Sequence, residues 1–330
     1  MRIIQTPPLL IGVLCGISAN LIWGLAFLIP VLFPASDAVA LALGRYLFFG
    51  VVSVGIMIFT RGTGMRGLGR RVWFTAMAFA FAGHLGYYFF LVQGITHAGA
   101  PITTVIIGTL PVTVALTGNW VRKEFPFSRL LVPLGFITVG LVLVNLMEVD
   151  WGTALSGHDG TTWVIGIASA LTALGLWTWY AVANANFLRE HPEISSSAWS
   201  TLMGVCTLAL SLVALPIAAV SGEVHTGRAD SLLPMLIGSL VLGVLVSWVG
   251  TVLWNRSSGL VPISIAGQLA VVQVIAGLIY VFTWDGRMPP LLELAGIALL
   301  IGGVLLAIQR TRKTPPAPEA QLTDKAEMTS

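Results

Sequence analysis

Residues 232–254 read LLPMLIGSLVLGVLVSWVGTVLW, a run without one charged side chain. At about 1.5 Å of rise per residue, a helix of this length covers about 34 Å, enough to cross a hydrocarbon core about 30 Å thick. The same reading gives nine more spans: Leu9–Ile29, Val39–Phe59, Val72–Ile95, Pro101–Val121, Leu130–Met147, Trp163–Ala185, Ala198–Val220, Pro262–Thr283 and Pro290–Ile308. These runs are continuously apolar rather than alternating, which selects helices over a barrel. Composition points the same way: 56% hydrophobic and 9% charged residues, with a mean hydropathy of +0.90, leave too little polar surface to clothe a water-soluble globule. The expected fold class is an all-α integral membrane protein of ten transmembrane helices.

The basic residues set the orientation. With the N-terminus in the cytoplasm, 14 fall on the inner side: Arg2, Arg61, Arg66, Arg70, Arg71, Arg122, Lys123, Arg129, Arg189, Arg256, Arg310, Arg312, Lys313 and Lys325. The outer segments hold only Arg228 and Arg287. By the positive-inside rule both termini are expected in the cytoplasm, in a bacterial inner (plasma) membrane protein. The net charge of +3 does not indicate a nucleic-acid partner, because the basic residues sit at helix ends facing one set of headgroups. The first run is as long as a full span and no small-x-small site follows it, so it reads as a helix rather than a cleaved signal peptide. Cys15 and Cys206 lie inside spans and form no disulfide framework or metal spacing. The polar, Pro-containing tail is expected to be disordered and cytoplasmic.

A shift of 161 positions aligns features of the two halves. Pro101 meets Pro262, Ile102 meets Ile263, Ala115 meets Ala276, Glu124 meets Asp285, and Gly135 meets Gly296. Trp23 and Trp177 occupy comparable places in the first and sixth spans, at a slightly different shift. Five spans per half is an odd number, so the second copy must run upside down, an arrangement typical of secondary transporters. The expected organisation is a first five-helix repeat over 1–148, an outer loop over 149–161, a second, inverted repeat over 162–309 and a tail over 310–330.

The stretches Gly16-Ile17-Ser18-Ala19-Asn20-Leu21-Ile22-Trp23-Gly24 and Leu43-Gly44-Arg45-Tyr46, the run from Gly94 through Pro111 to Glu124, and Gly135 through Gly140 resemble the first EamA-type repeat of the drug/metabolite transporter superfamily. Gly166 to Leu306 resembles the second, with Asp285 where the family usually has Glu. Within the superfamily the chain looks most like the YddG-type amino-acid exporters. That resemblance implies export of aromatic and other bulky neutral amino acids.

Few charged or polar groups lie deep in the spans, and each calls for an account. Arg45 lies about 10 Å into the second span. It either binds a substrate carboxylate, snorkels outward, or pairs with carbonyls or Asp37; the resemblance favours a structural or gating role. His84, with Tyr87 and Tyr88 one turn on, is a candidate cavity residue and a candidate proton carrier, against the alternative of a satisfied group packed between helices. Among the deep aromatics, Trp23, Trp177 and Trp248 are favoured as substrate-binding walls, while Trp151, Trp163, Trp254 and Trp284 read as interfacial anchors. Asn20 and Gln268 are candidates for the polar end of a substrate, although amides also join helices. Pro111 should kink the fourth span and free a carbonyl. Glu124 reads as a helix-end ion pair with neighbouring Arg122 and Lys123.

No acid lies mid-span, there is no Gly-rich Lys-Ser/Thr phosphate loop, and no His-Glu-x-x-His. No enzyme, metal or cofactor is implied. The expected function is export of amino acids by alternating access through a central cavity, with a permease for other neutral metabolites or drugs as the alternative. A non-transporting membrane enzyme or receptor is the rival from another class. The expected partners are a small-molecule substrate and the lipid bilayer, with no nucleic acid and no obligatory protein partner.

Overall fold

The computed structural model describes residues 8–33, 38–148, 160–220 and 229–312. The expected 149–161 loop lies almost wholly outside these residues, as does most of the tail. Among the described residues, ten helices are long and apolar enough to cross a membrane: α1 Pro8–Leu32, α2 Val39–Phe59, α3 Arg70–Ala98, α4 Ile102–Arg122, α5 Phe127–Val144, α6 Gly160–Glu190, α7 Ser196–Ala218, α8 Leu232–Leu260, α9 Ile263–Asp285 and α10 Leu291–Gln309. Successive helices alternate in direction, so one end of the bundle gathers Arg61, Arg66, Arg70, Arg71, Arg122, Lys123, Arg189 and Arg256. It is called the arginine-rich end below.

Each span lies where continuous apolarity puts it, but α8 runs six residues past Trp254. The polar run Asn255–Ser258 looks like a helix leaving lipid. In fact Asn255, Ser257 and Ser258 are buried, and Asn255 donates to Ser200 and accepts from Asn184. Polar residues that find partners inside a bundle do not mark its surface. Trp254 is consequently no interfacial anchor; it is buried in the core.

Four helices are interrupted, and the interruptions keep register. α3 carries a π-helical turn at Phe81–Leu85 and α8 another at Leu242–Val249. α4 breaks at Thr109 and α9 at Ala270, where ψ flattens to −6° and −20°. Under the 161-residue shift Phe81 meets Leu242 and Thr109 meets Ala270. Pro111 accounts for the first break: it falls in the opening turn of α4's second segment, Leu110–Arg122, where its missing N–H costs nothing. No proline marks the second.

Small residues set the close crossings, as expected where packing rather than water exclusion drives association. At the arginine-rich end, the second segment of α4 crosses the first segment of α9, Ile263–Leu269. A Cβ on Gly118 would lie 2.5 Å from the Ile263 side chain, and one on Gly267 would lie 2.6 Å from the Ala115 nitrogen. At the opposite end, the first segment of α4 and the second segment of α9, Val271–Asp285, form no comparable interface. There α9 lies on α1 instead, with Gly24 against Ala276 and Gly277 against Phe27. A groove of about 570 Å3 runs along the second segment of α4 and α6, lined by Thr113, Thr117, Trp120, Thr178, Trp179 and Asn186, and the Thr113 and Thr178 hydroxyls meet within it at 3.1 Å. It opens sideways, where Trp120 and Trp179 are exposed.

Candidate functional site

Seven rings form an unbroken file through the bundle. Trp254 on α8 lies 5.3 Å from Trp23 on α1, and Trp23 lies 6.3 Å edge-on from Trp177 on α6. Trp177 contacts Tyr180 at 6.0 Å, and Tyr180 contacts His84 on α3 at 6.2 Å. His84 lies 5.8 Å from Tyr46 on α2, and Tyr46 lies 6.3 Å from Tyr88. Such separations suit edge-to-face and offset contacts between aromatic quadrupoles. Two glycines make room for the file. A Cβ on Gly250 would meet the Trp23 indole at 2.5 Å, and one on Gly83 would meet the Tyr180 ring at 2.7 Å.

The π turns orient these rings. A π turn lengthens the hydrogen-bond step and leaves carbonyls for other donors. Trp23 Nε1 donates to Val246 O at 2.9 Å, within the turn of α8. Tyr46 Oη donates to His84 O at 3.4 Å, within the turn of α3. The His84 ring meets Thr207 Oγ1 at 2.9 Å through Nδ1. The single Thr207 hydroxyl proton goes to Met203 O, so His84 Nδ1 carries the proton of this bond and Thr207 Oγ1 accepts it.

Asn20 and Gln268 are wholly buried. Their amide nitrogens donate to Gly16 O and Ser264 O, four residues back on their own helices. Asn20 Oδ1 and Gln268 Oε1 have no partner among the described residues. Tyr87 and Trp248 are half-buried and stand outside the file; Trp248 Nε1 donates to Thr201 Oγ1 at 3.2 Å. The sequence grouping of Trp248 with Trp23 and Trp177 is therefore not reproduced, and buried Trp254 takes its place.

Arg45 is half-buried on α2. Its Nε donates to Ser247 Oγ at 2.7 Å, and its guanidinium carbon lies 5.5 Å from the Tyr46 ring centre. The charge is within electrostatic reach of Tyr46, His84 and Tyr87.

Glu124 differs most from its sequence reading. It pairs with Arg189, not with neighbouring Arg122 or Lys123, at 3.4 Å. Its carboxylate also caps α9, accepting from Ile263 N at 2.7 Å, Ser264 N at 2.9 Å and Ser264 Oγ at 2.7 Å. The free N–H groups and the positive end of a helix make this a favourable place for a carboxylate. The preceding turn holds it there. Lys123 ends α4 in the left-handed region, and Asn119 exchanges two hydrogen bonds with the backbone of Phe125. Arg189 further donates to Ser258 O and Val261 O, so one guanidinium ties the ends of α4, α8 and α9 together. At the other end, the matching acid Asp285 pairs, among the described residues, with Arg287 in its own turn. Arg122, meanwhile, donates to Asn186.

The profile of the EamA-like transporter family matches residues 10–146. The chain is also similar to the inner membrane protein YtfF of Escherichia coli (strain K12). The two are 37% identical over 315 residues, spanning 92% of this chain and 97% of that protein. A solved crystal structure has the same fold, with a TM-score of 0.72 at 17% identity, covering 92% of this chain and 99% of that one.

Proposed function

The chain belongs to the EamA-like transporter family of the drug/metabolite transporter superfamily and is a membrane transporter rather than an enzyme, and from that premise we propose that it exports amino acids with aromatic or other bulky neutral side chains. The carrying observation is the file of rings from Trp254 to Tyr88 through the middle of the bundle. A planar or bulky apolar side chain packs against such a wall without stranding polar groups. An ammonium group is held by ring faces and by carbonyl oxygens such as those of Asn20 and Gln268.

The two five-helix units, 1–148 and 162–309, act as inverted repeats, and the arginine-rich end faces the cytoplasm together with both termini. In this conformer α4 and α9 are closed at the cytoplasmic end and apart at the outer end. The opposite conformer forms when the second segment of α4 swings from α9 into the groove beside α6, and the second segment of α9 leaves α1 to meet α4. Glu124 and Arg189 act as the inner latch. Pro111 and the break at Thr109 supply the joint.

Purified protein in liposomes loaded with labelled phenylalanine or tryptophan tests the reading. Efflux should be saturable and should be competed by aromatic and branched neutral amino acids but not by lysine or aspartate. Trp177→Ala or Tyr180→Ala should lower flux about tenfold, the loss of about one ring contact. Absence of flux for every amino acid would remove the substrate assignment. Tags at the two termini that label from opposite sides would remove the orientation.

A further inference from the structure

We propose that Arg45 is the carboxylate-binding element of the transport cavity: its Nε is held by Ser247, and its two terminal nitrogens are presented to a ligand carboxylate. This rests on the reading of the chain as a transporter of small amphipathic solutes, and it assigns the pole of the solute that the aromatic file does not.

The direction in which the side chain runs carries the argument. Arg45 sits two turns into α2, counted from the end opposite the arginine-rich one. Its backbone lies beside Gly243, where an added Cβ would be 2.7 Å from Arg45 O. A snorkelling arginine at this depth bends back toward the nearer surface. This one reaches the other way. Its Nε meets Ser247, one turn further along α8 and at the middle of that helix, which spans Leu232–Leu260. The charge is delivered toward the midplane, where an uncompensated cation is costly.

Nothing among the described residues neutralises it there. Glu124 pairs with Arg189 and Asp285 with Arg287, both at bundle ends. Nε is the guanidinium nitrogen with a protein acceptor, and that acceptor is a neutral hydroxyl on a residue only 2% exposed. The Tyr46 ring supports the guanidinium on one side without supplying a counter-charge. A planar fork with Nε anchored and its terminal N–H groups without an acceptor among the described residues is the geometry that grips a carboxylate through two parallel hydrogen bonds. The ring file passes beside it: Tyr46 is a member, and Trp23 bonds to Val246 O, the carbonyl next to Ser247. A solute with a carboxylate at one end and an apolar ring at the other matches that juxtaposition. The position 161 residues on is Cys206, so the charge has no counterpart in the second half.

The test compares three ligands on purified full-length protein by isothermal calorimetry: L-phenylalanine, 3-phenylpropionate (ring and carboxylate, no amine) and phenethylamine (ring and amine, no carboxylate). Arg45→Gln should weaken the two carboxylates about tenfold or more, the cost of a charge-assisted pair, and leave phenethylamine within about twofold. Arg45→Lys keeps the charge but not the fork and should fall between. If Arg45→Gln does not fold, Ser247→Ala carries the test: it releases Nε and should weaken the carboxylates relative to phenethylamine. Wild type that binds neither carboxylate, carboxylate binding unchanged in Arg45→Gln, or equal loss of all three ligands would each overturn the proposal. Failure of the amino-acid reading looks different: no amino-acid flux in liposomes, with Arg45-dependent binding of 3-phenylpropionate intact.

Discussion

α4 and α9 cross at one end of the bundle and miss each other at the other, and the residues at the two places differ in kind. At the arginine-rich end the crossing runs through Gly118 against Ile263 and Gly267 against Ala115. The positions that would build the same crossing at the other end are Ile279 with Ile102 and Ile106 with Ala276. Two glycines are replaced by two isoleucines. The caps differ in parallel. Glu124 bridges to another helix and to Arg189, whereas Asp285 pairs with Arg287 in its own turn. The interruptions of both halves begin at matching positions, although the π turn of α8 is three residues longer than that of α3, and among the described residues the arginine-rich end alone has the glycine crossing and the cap that bridges helices. The two pairs of helices thus match in where they are interrupted; the side chains at their two ends do not match.

Filling the glycine crossing should have the largest effect. Gly118→Ile places a branched side chain where even a Cβ lies 2.5 Å from Ile263, an overpacking cost of about 1–3 kcal/mol borne only by the sealed conformer. Cysteine probes along α4 and α9 should then label faster from the arginine-rich end by about tenfold or more. Unchanged labelling would mean that the crossing does not seal that end. Glu124→Gln comes next. It keeps an acceptor for the α9 N–H groups but loses the charge, a change of about 1 kcal/mol that should raise labelling at the same end severalfold. Arg189→Ala should match or exceed it, since it leaves the mostly buried Glu124 carboxylate short of its cation. Asp285→Asn should do least. Its pair with Arg287 is exposed and within about 0.5 kcal/mol of neutral, so a marked shift in labelling would show that the outer acid already works as a latch.

The ten spans are legible in sequence because lipid tolerates only long apolar helices. The end of α8 is not, because the polar run there is buried, with Asn255 bonded to Asn184 and Ser200 inside the bundle. Trp23, His84 and Trp177 stand out as deep aromatics on separate helices, whereas Tyr180 hides in the Trp177–Tyr180 cluster, where helical geometry prevents all from facing inward and composition does not say which do. Pro111 announces the break at Thr109; the break at Ala270 and both π turns have no residue of their own to announce them. Arg189 is invisible as the partner of Glu124 because 65 positions separate them and two chain neighbours carry the same charge.

Trp23, Trp177 and Trp254 come from three helices and lie at 5.3, 6.0 and 6.3 Å from one another. Indoles so near share their excitation, so the trio absorbs and emits as a coupled chromophore rather than as three independent dyes. The near-ultraviolet dichroism that the trio contributes therefore depends on the mutual tilt of α1, α6 and α8, and it is read against the signal of the chain's eight other tryptophans.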